Sequence, residues 1–129
     1  MKIKVKFMPT KTEKLKIKRT KPFAANREAI KILESQGWTC ETAEKRLPHC
    51  FITKDAFGFG DILAISPTRG IMMVQATGGG NGSTRAIKIR QEPRHAIWLA
   101  SGGRIQVWDF VKRANQKQRE CKILEIVKL

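Results

Sequence analysis

The chain has 129 residues, room for one compact domain and little more, and 41% of them are hydrophobic, too many for a disordered chain. No apolar run approaches the ~20 residues of a membrane span, and the opening MKIKVKFMPTK lacks the continuous apolar segment of a secretory signal, so a cytoplasmic protein is expected. Against 11 Asp plus Glu stand 26 Lys plus Arg, a net charge of +15 that implies a polyanionic partner: nucleic acid or an anionic membrane surface.

The charge is concentrated at the front. Residues 1–22 hold nine basic side chains and one acid, Glu13, a net of +8 in a sixth of the length. In KIKVKF, Lys2, Lys4 and Lys6 alternate with Ile3, Val5 and Phe7; in KLKIKRT, Lys14, Lys16 and Lys18 alternate with Leu15 and Ile17, before Arg19. Period two puts the lysines of each segment on one face. The head is either a β-hairpin, apolar on one side and cationic on the other, or a basic arm. Both versions grip phosphates and make binding salt-dependent.

From Pro22 the pattern changes. Asn26 as N-cap, apolar positions at Ala29, Ile30 and Leu33, and Gly37 as terminator predict a helix over about 27–36. Trp38 to Thr42 reads as a strand. A polar passage, AEKRLPH, leads to a short extended CFIT and the glycine-bearing KDAFGFG. DILAIS (61–66) and IMMVQAT (71–77) are strand-length apolar runs about the turn PTRG, an antiparallel hairpin apolar on both faces, as strands inside a covered sheet are.

GGGNGS follows as a loop, with Ser83 or Thr84 as N-cap of a helix over STRAIKIRQE that Pro93 ends. The loop resembles an anion-binding turn, but it lacks the Gly-Lys-Ser/Thr of a nucleotide-binding loop, so a connector is the expectation. HAIWLAS (95–101) reads as another strand, parallel to the earlier one through a right-handed crossover. RIQVWDFV and CKILEIVKL read as two further strands about the basic loop KRANQKQRE. The whole is an α/β domain, residues 23–129, with a central mixed β-sheet flanked by helices.

Cys40, Cys50 and Cys121 form no C-x-x-C pair and suit reduced thiols, and His49 beside Cys50 has no second pair to complete a zinc site. Trp38, Trp98 and Trp108 sit in strand patterns and read as core. Ser66, Ser83 and Ser101 have no evident His partner, which disfavours a hydrolase triad.

One constellation carries chemistry. Gln75 and Thr77 project from one face of their strand, and Asp61 opens the neighbouring strand, so all three lie at the open end of the hairpin, between AFGFG and GGGNG. Glu28 stands in the first turn of the first helix, where the helix dipole alone favours it. A helix with a Glu, a strand-opening Asp and a short motif on the next strand resemble the PD-(D/E)XK nuclease superfamily, in particular its Holliday-junction resolvase-like members from phages and prokaryotes, over roughly residues 24–101.

The resemblance implies a restriction-endonuclease-like core and a metal-dependent endonuclease acting on branched or structured DNA, in a prokaryotic cell or phage-infected host. It further implies Mg²⁺ or Mn²⁺ as cofactor and a homodimer. Asp61 matches the metal Asp, Gln75 the motif's Glu, the carbonyl of Ala76 the main-chain ligand, and Thr77 the motif's Lys; Glu28 matches the helix Glu that some members use. The family's proline before the Asp is Gly60 here. Gln offers an oxygen ligand without charge, to be compensated by Glu28 or Asp55, and Thr77 supplies no cation. Lys54, or Arg85 and Lys88 on the following helix, would take that place. With Lys112 and Arg113, and with Lys117 and Arg119 in the same loop, these basic residues and the head would hold the nucleic-acid backbone.

Three other readings stand beside this one. The chain could keep the nuclease fold for binding DNA or RNA and have lost the chemistry, for which Gln-Ala-Thr in place of Glu-x-Lys speaks. It could be an RNA-binding or ribosome-associated basic protein. A membrane-surface role is disfavoured, because the basic segments alternate with period two and form no amphipathic helix.

Overall fold

The computed structural model describes residues 23–43, 45–46, 53–115 and 118–128. The basic head, expected as hairpin or arm, lies outside the described residues, as does CFIT up to Ile52. The first helix, α1 (Ala25–Ser35), turns Ala29 and Leu33 fully inward at the i, i+4 spacing of one helical face. Its N-cap position is held by Ala24 in extended backbone, with no side-chain cap; Asn26, the expected cap, stands inside the first turn.

A five-stranded mixed sheet follows, with three helices packed against it. Its members are β1 (Thr39–Thr42), β4 (Ile62–Ser66), β5 (Gly70–Gly78), β6 (Arg104–Val111) and β7 (Glu120–Ile126), in that spatial order. Between β1 and β4 a two-residue ladder joins β2 (Lys45–Arg46) to β3 (Thr53–Lys54), which the sequence did not announce. The expected hairpin is present: β4 and β5 pair antiparallel from Ile62 opposite Val74 to Ser66 opposite Gly70. Central β5 is buried from Met72 to Thr77, as a strand covered on both faces must be.

The crossover is also present, with a different second strand. After α2 (Gly82–Gln91) the chain forms a further helix, α3 (Arg94–Ala100), where a strand was expected over 95–101; the strand parallel to β5 is β6. The middle of the run HAIWLAS, Ala96 to Ala100, is apolar throughout, so hydropathy alone could not separate the two periods. Within it His95, Trp98 and Leu99 are half-buried while Ala96, Ile97 and Ala100 face water, a helical i, i+3, i+4 pattern. Pro93, in α-helical backbone at the N-cap position, starts this helix as well as ending the one before it.

Two cores sandwich the sheet. On one face Ile62, Ala64, Met72, Val74, Ala76, Trp108 and Phe110 meet Ala29 and Leu33 of α1, with Trp38 beside them. On the other, Met73, Ile105, Val107 and Ile126 meet Phe59 and Ile89, with Trp98 and Leu99 of α3 against them. Trp38 and Trp108 are thus core residues as expected; Trp98 is half-buried on a helix. Burial pushes the Cys40 and Cys121 thiols up, Cys121 to about 11 with help from nearby Asp109, so both are neutral at physiological pH. No helix among the described residues is long and apolar enough to cross a membrane.

Candidate active site

The open end of the hairpin coincides with the C-terminal edge of the parallel pair β5–β6. The segment 43–61 begins and ends there, since Thr42 pairs with Ile62. The β5–α2 link leaves from it, and the 112–119 loop leaves β6 and enters β7 there, Val111 pairing with Glu120. In open α/β sheets this edge is where ligands bind, because loops fan out above strands that end together.

Asp61 precedes β4, and its N–H donates to the Val74 carbonyl at 3.1 Å, which continues the hairpin register by one step. That step sets Asp61 across from Gln75, and the two side chains meet: Gln75 Nε2 donates to Asp61 Oδ2 at 2.8 Å. The Ala76 N–H reaches the same oxygen at 3.4 Å, a marginal contact. Asp61 and Gln75 are each 5% exposed, so they look into the molecule and meet solvent only through a cleft. Asp61 is therefore no mere turn residue.

The cleft has a volume of about 470 Å³ and is lined by Asp61, Gln75, Ala76, Asp55, Arg85 and the first residues of α1, Ala24 to Asn26. It thus holds two carboxylates and one guanidinium under the start of a helix. Gln75 spends its amide nitrogen on Asp61, which leaves Oε1, the atom a hard cation would take, outside that bond.

Of the residues singled out from the sequence, Asp61, Gln75, Ala76 and Arg85 come together here. Thr77 is buried on the same face of β5, opposite Asp109 of β6, and does not line the cleft. Glu28 is half-buried on α1 and does not line it either; the helix start reaches the cleft through Ala24, Ala25 and Asn26. Lys54, Lys88, Lys112 and Arg113 are exposed, and the last two extend beyond the C-terminal end of β6, at the edge where the cleft opens. The residues from Lys2 to Arg19 lie outside the described residues.

Asp55 had a minor place in the sequence argument, and Asn26 had another role. Asp109 had none. It is 5% exposed, and its carboxylate accepts the Gly80 N–H at 3.2 Å and the Gly82 N–H at 2.9 Å. It therefore fills the glycine loop with the molecule's own anion and caps α2 from across the sheet, where Asn81, and neither Ser83 nor Thr84, holds the N-cap position. Gly82 is closely fitted to it, since an added Cβ would lie 2.9 Å from Asp109 Cβ. The signal was present in RIQVWDFV: period two places Asp109 in line with Ile105 and Val107, and an acid facing inward on a strand needs buried donors.

Does this donor set fit a divalent cation? Carboxylate, amide and main-chain oxygens are the kind Mg²⁺ takes. They are few: among the described residues no group of three or more His, Cys, Asp or Glu gathers at one point. The set fits in chemical kind, with Asp61 and Asp55 as its charged members. No known protein family, curated protein or solved structure matches the chain.

Proposed function

We propose that the chain is a metal-dependent endonuclease of the PD-(D/E)XK type, with a restriction-endonuclease-like core, cutting branched or structured DNA as a homodimer. One observation carries the reading: Asp61, hydrogen-bonded to Gln75, lies in a cleft with Asp55 and Arg85 at the C-terminal edge of the parallel strands. A net charge of +15 supports a polyanionic substrate.

In this reading Asp61 and Asp55 would hold the divalent cation, with the Gln75 Oε1 and the Ala76 carbonyl as neutral oxygen donors. When bound, such a cation would supply an acidified water and offset charge developing on the phosphate. The bond from Gln75 fixes the Asp61 carboxylate, and burial leaves it reachable only through the cleft. Arg85 supplies the cationic charge that Thr77 lacks; it faces the non-bridging phosphate oxygens as their charge grows in the transition state. Lys54, Lys88, Lys112 and Arg113 hold the flanking backbone.

One geometric fact favours a second reading, a nuclease fold kept for binding alone. The Gln75 amide turns its nitrogen to Asp61, so the pair can satisfy itself without a cation. The test separates the two. End-labelled four-way junction, plain duplex and single-stranded DNA are incubated with the protein in Mg²⁺, Mn²⁺ or EDTA, beside Asp61→Asn, which keeps the side chain's shape. Metal-dependent nicks that fall at least ~100-fold in the variant, with gel-shift affinity retained, are expected. Tight binding with no cutting in any metal would establish the binding-only reading instead.

A further inference from the structure

A second cavity lies on the α2/α3 side, reached by the same loop that supplies Asp55. From Asp55 the chain turns at residues 57–59 and closes with a bridge between Ala56 and Gly60. Within this turn Phe59 points into the core, 1% exposed, while Phe57 is 50% exposed. Phe57 also has φ +53°, a left-handed conformation that is uncommon for any side chain and strained for a bulky one. The fold thus holds a large aromatic ring in water, on backbone that glycine would adopt freely.

Around that ring stand the parts of a stacking site. The Trp98 ring centroid is 6.3 Å from that of Phe57, tilted by 47°. The Arg94 guanidinium lies 5.9 Å from the Phe57 ring centre and is anchored to Glu92 Oε1 by Nε at 2.8 Å. Trp98 is itself fixed, its Nε1 donating to the Arg104 carbonyl at 2.7 Å. With Ile97 and Ser101 these residues line about 300 Å³, the small end of the range for ligand pockets. Ile97 is 65% exposed at the rim.

We infer that this pocket takes one unpaired nucleobase of the bound strand, stacked on Phe57 beside Arg94. The inference rests on the nucleic-acid reading above, though not on cutting. Two flat aromatic rings and a planar guanidinium, all held by neighbours, match the π-face and polar edge of a base. The occupant is anionic along its backbone, which suits this chain's charge; an apolar peptide would not explain that charge. Position agrees as well. Asp55, in the cleft, and Phe57 are two residues apart, at most ~7 Å between their Cα atoms, so one short loop lines both the cleft and the pocket. The site therefore favours strands that present unstacked bases.

The test uses fluorescence anisotropy in EDTA, so that cutting plays no part. Probes are a labelled single-stranded oligonucleotide, the same oligonucleotide with one central abasic site, and the corresponding duplex. Phe57→Gly relieves the backbone strain and is expected to melt no lower than the parent. It should weaken single-strand binding roughly five- to a hundredfold, the range of one base–aromatic stack, and leave duplex binding within about twofold. Phe57→Trp should keep the single-strand preference. The abasic probe should lose part of its affinity for the parent and none for Phe57→Gly. Equal losses on single strand and duplex, or no loss, would overturn the pocket and leave the nucleic-acid reading standing. Absence of binding to any probe would overturn both. A dimer that dissociates in Phe57→Gly on sedimentation, with strand preference unchanged, would make the pocket a self-association face and overturn the inference.

Discussion

Gln75 meets Asp61 through its amide nitrogen, and that single contact decides the electrostatics of the cleft floor. A glutamine there donates to the carboxylate and quiets it; a glutamate would repel it. Gln75→Glu sets two carboxylates at the contact now spanned by 2.8 Å, where both cannot ionise without a cation between them. In EDTA the variant should lose on the order of 1–3 kcal/mol, read as a melting temperature lower by roughly 3–15 °C. Millimolar Mg²⁺ should restore it, because a ligand bound only by the folded state stabilises that state. Calorimetry showing the same melting point with and without Mg²⁺ would argue against a cation site at Asp61. Arg85 is the positive charge among the cleft's lining residues, and its exposure lets it follow a moving phosphate in a way that buried Asp61 cannot.

Among the elements, the short turn before β4 shows why position 60 takes glycine and would not take proline. An added Cβ at Gly60 would fall 2.2 Å from Met73 Sδ and 2.3 Å from its Cγ. Its N–H also donates to the Ala56 carbonyl at 3.0 Å, a bond proline cannot make. Met73 is 2% exposed, so it has little room to yield. Gly60→Ala should therefore destabilise by about 1–3 kcal/mol through overpacking, measured by urea unfolding. An unchanged midpoint would mean that Met73 repacks freely. Much of this level was legible beforehand: the Pro-Thr-Arg-Gly turn and two apolar runs specified the hairpin, and the hairpin specified which residues meet at its open end. What escaped depended on distant partners. The strand expected at 95–101 is a helix: Ala96 to Ala100, apolar at every position, carry no period, and it is packing of Trp98 and Leu99 against the sheet that selects a helix. The capping of α2 escaped for a similar reason, since its acceptor, Asp109, is 27 residues from Gly82 in sequence.

For the molecule as a whole, charge and topology act together. Because β5 and β6 are parallel, the loops after both open on one edge, and exposed Lys112 and Arg113 join Arg85 there. Binding to duplex DNA should weaken linearly in log–log form with salt, by about 0.9 per phosphate neutralised. Lys112→Ala and Arg113→Ala should each lower that slope by roughly 1 with little change in melting temperature. Slopes unmoved by both variants would remove this edge from the interface. The mixed sheet also dictates an order of assembly. Strand β5 has a near neighbour in β4, joined by a three-residue turn, and a far one in β6, reached after two helices. Closing the short loop costs little chain entropy, while the parallel pairing must wait for the long one. The contact between Asp61 and Gln75 thus belongs to the fast, local step, and the cationic rim around it to the slow one. A folding chain would form the proposed chemical centre early, before the cationic surface at that edge is complete.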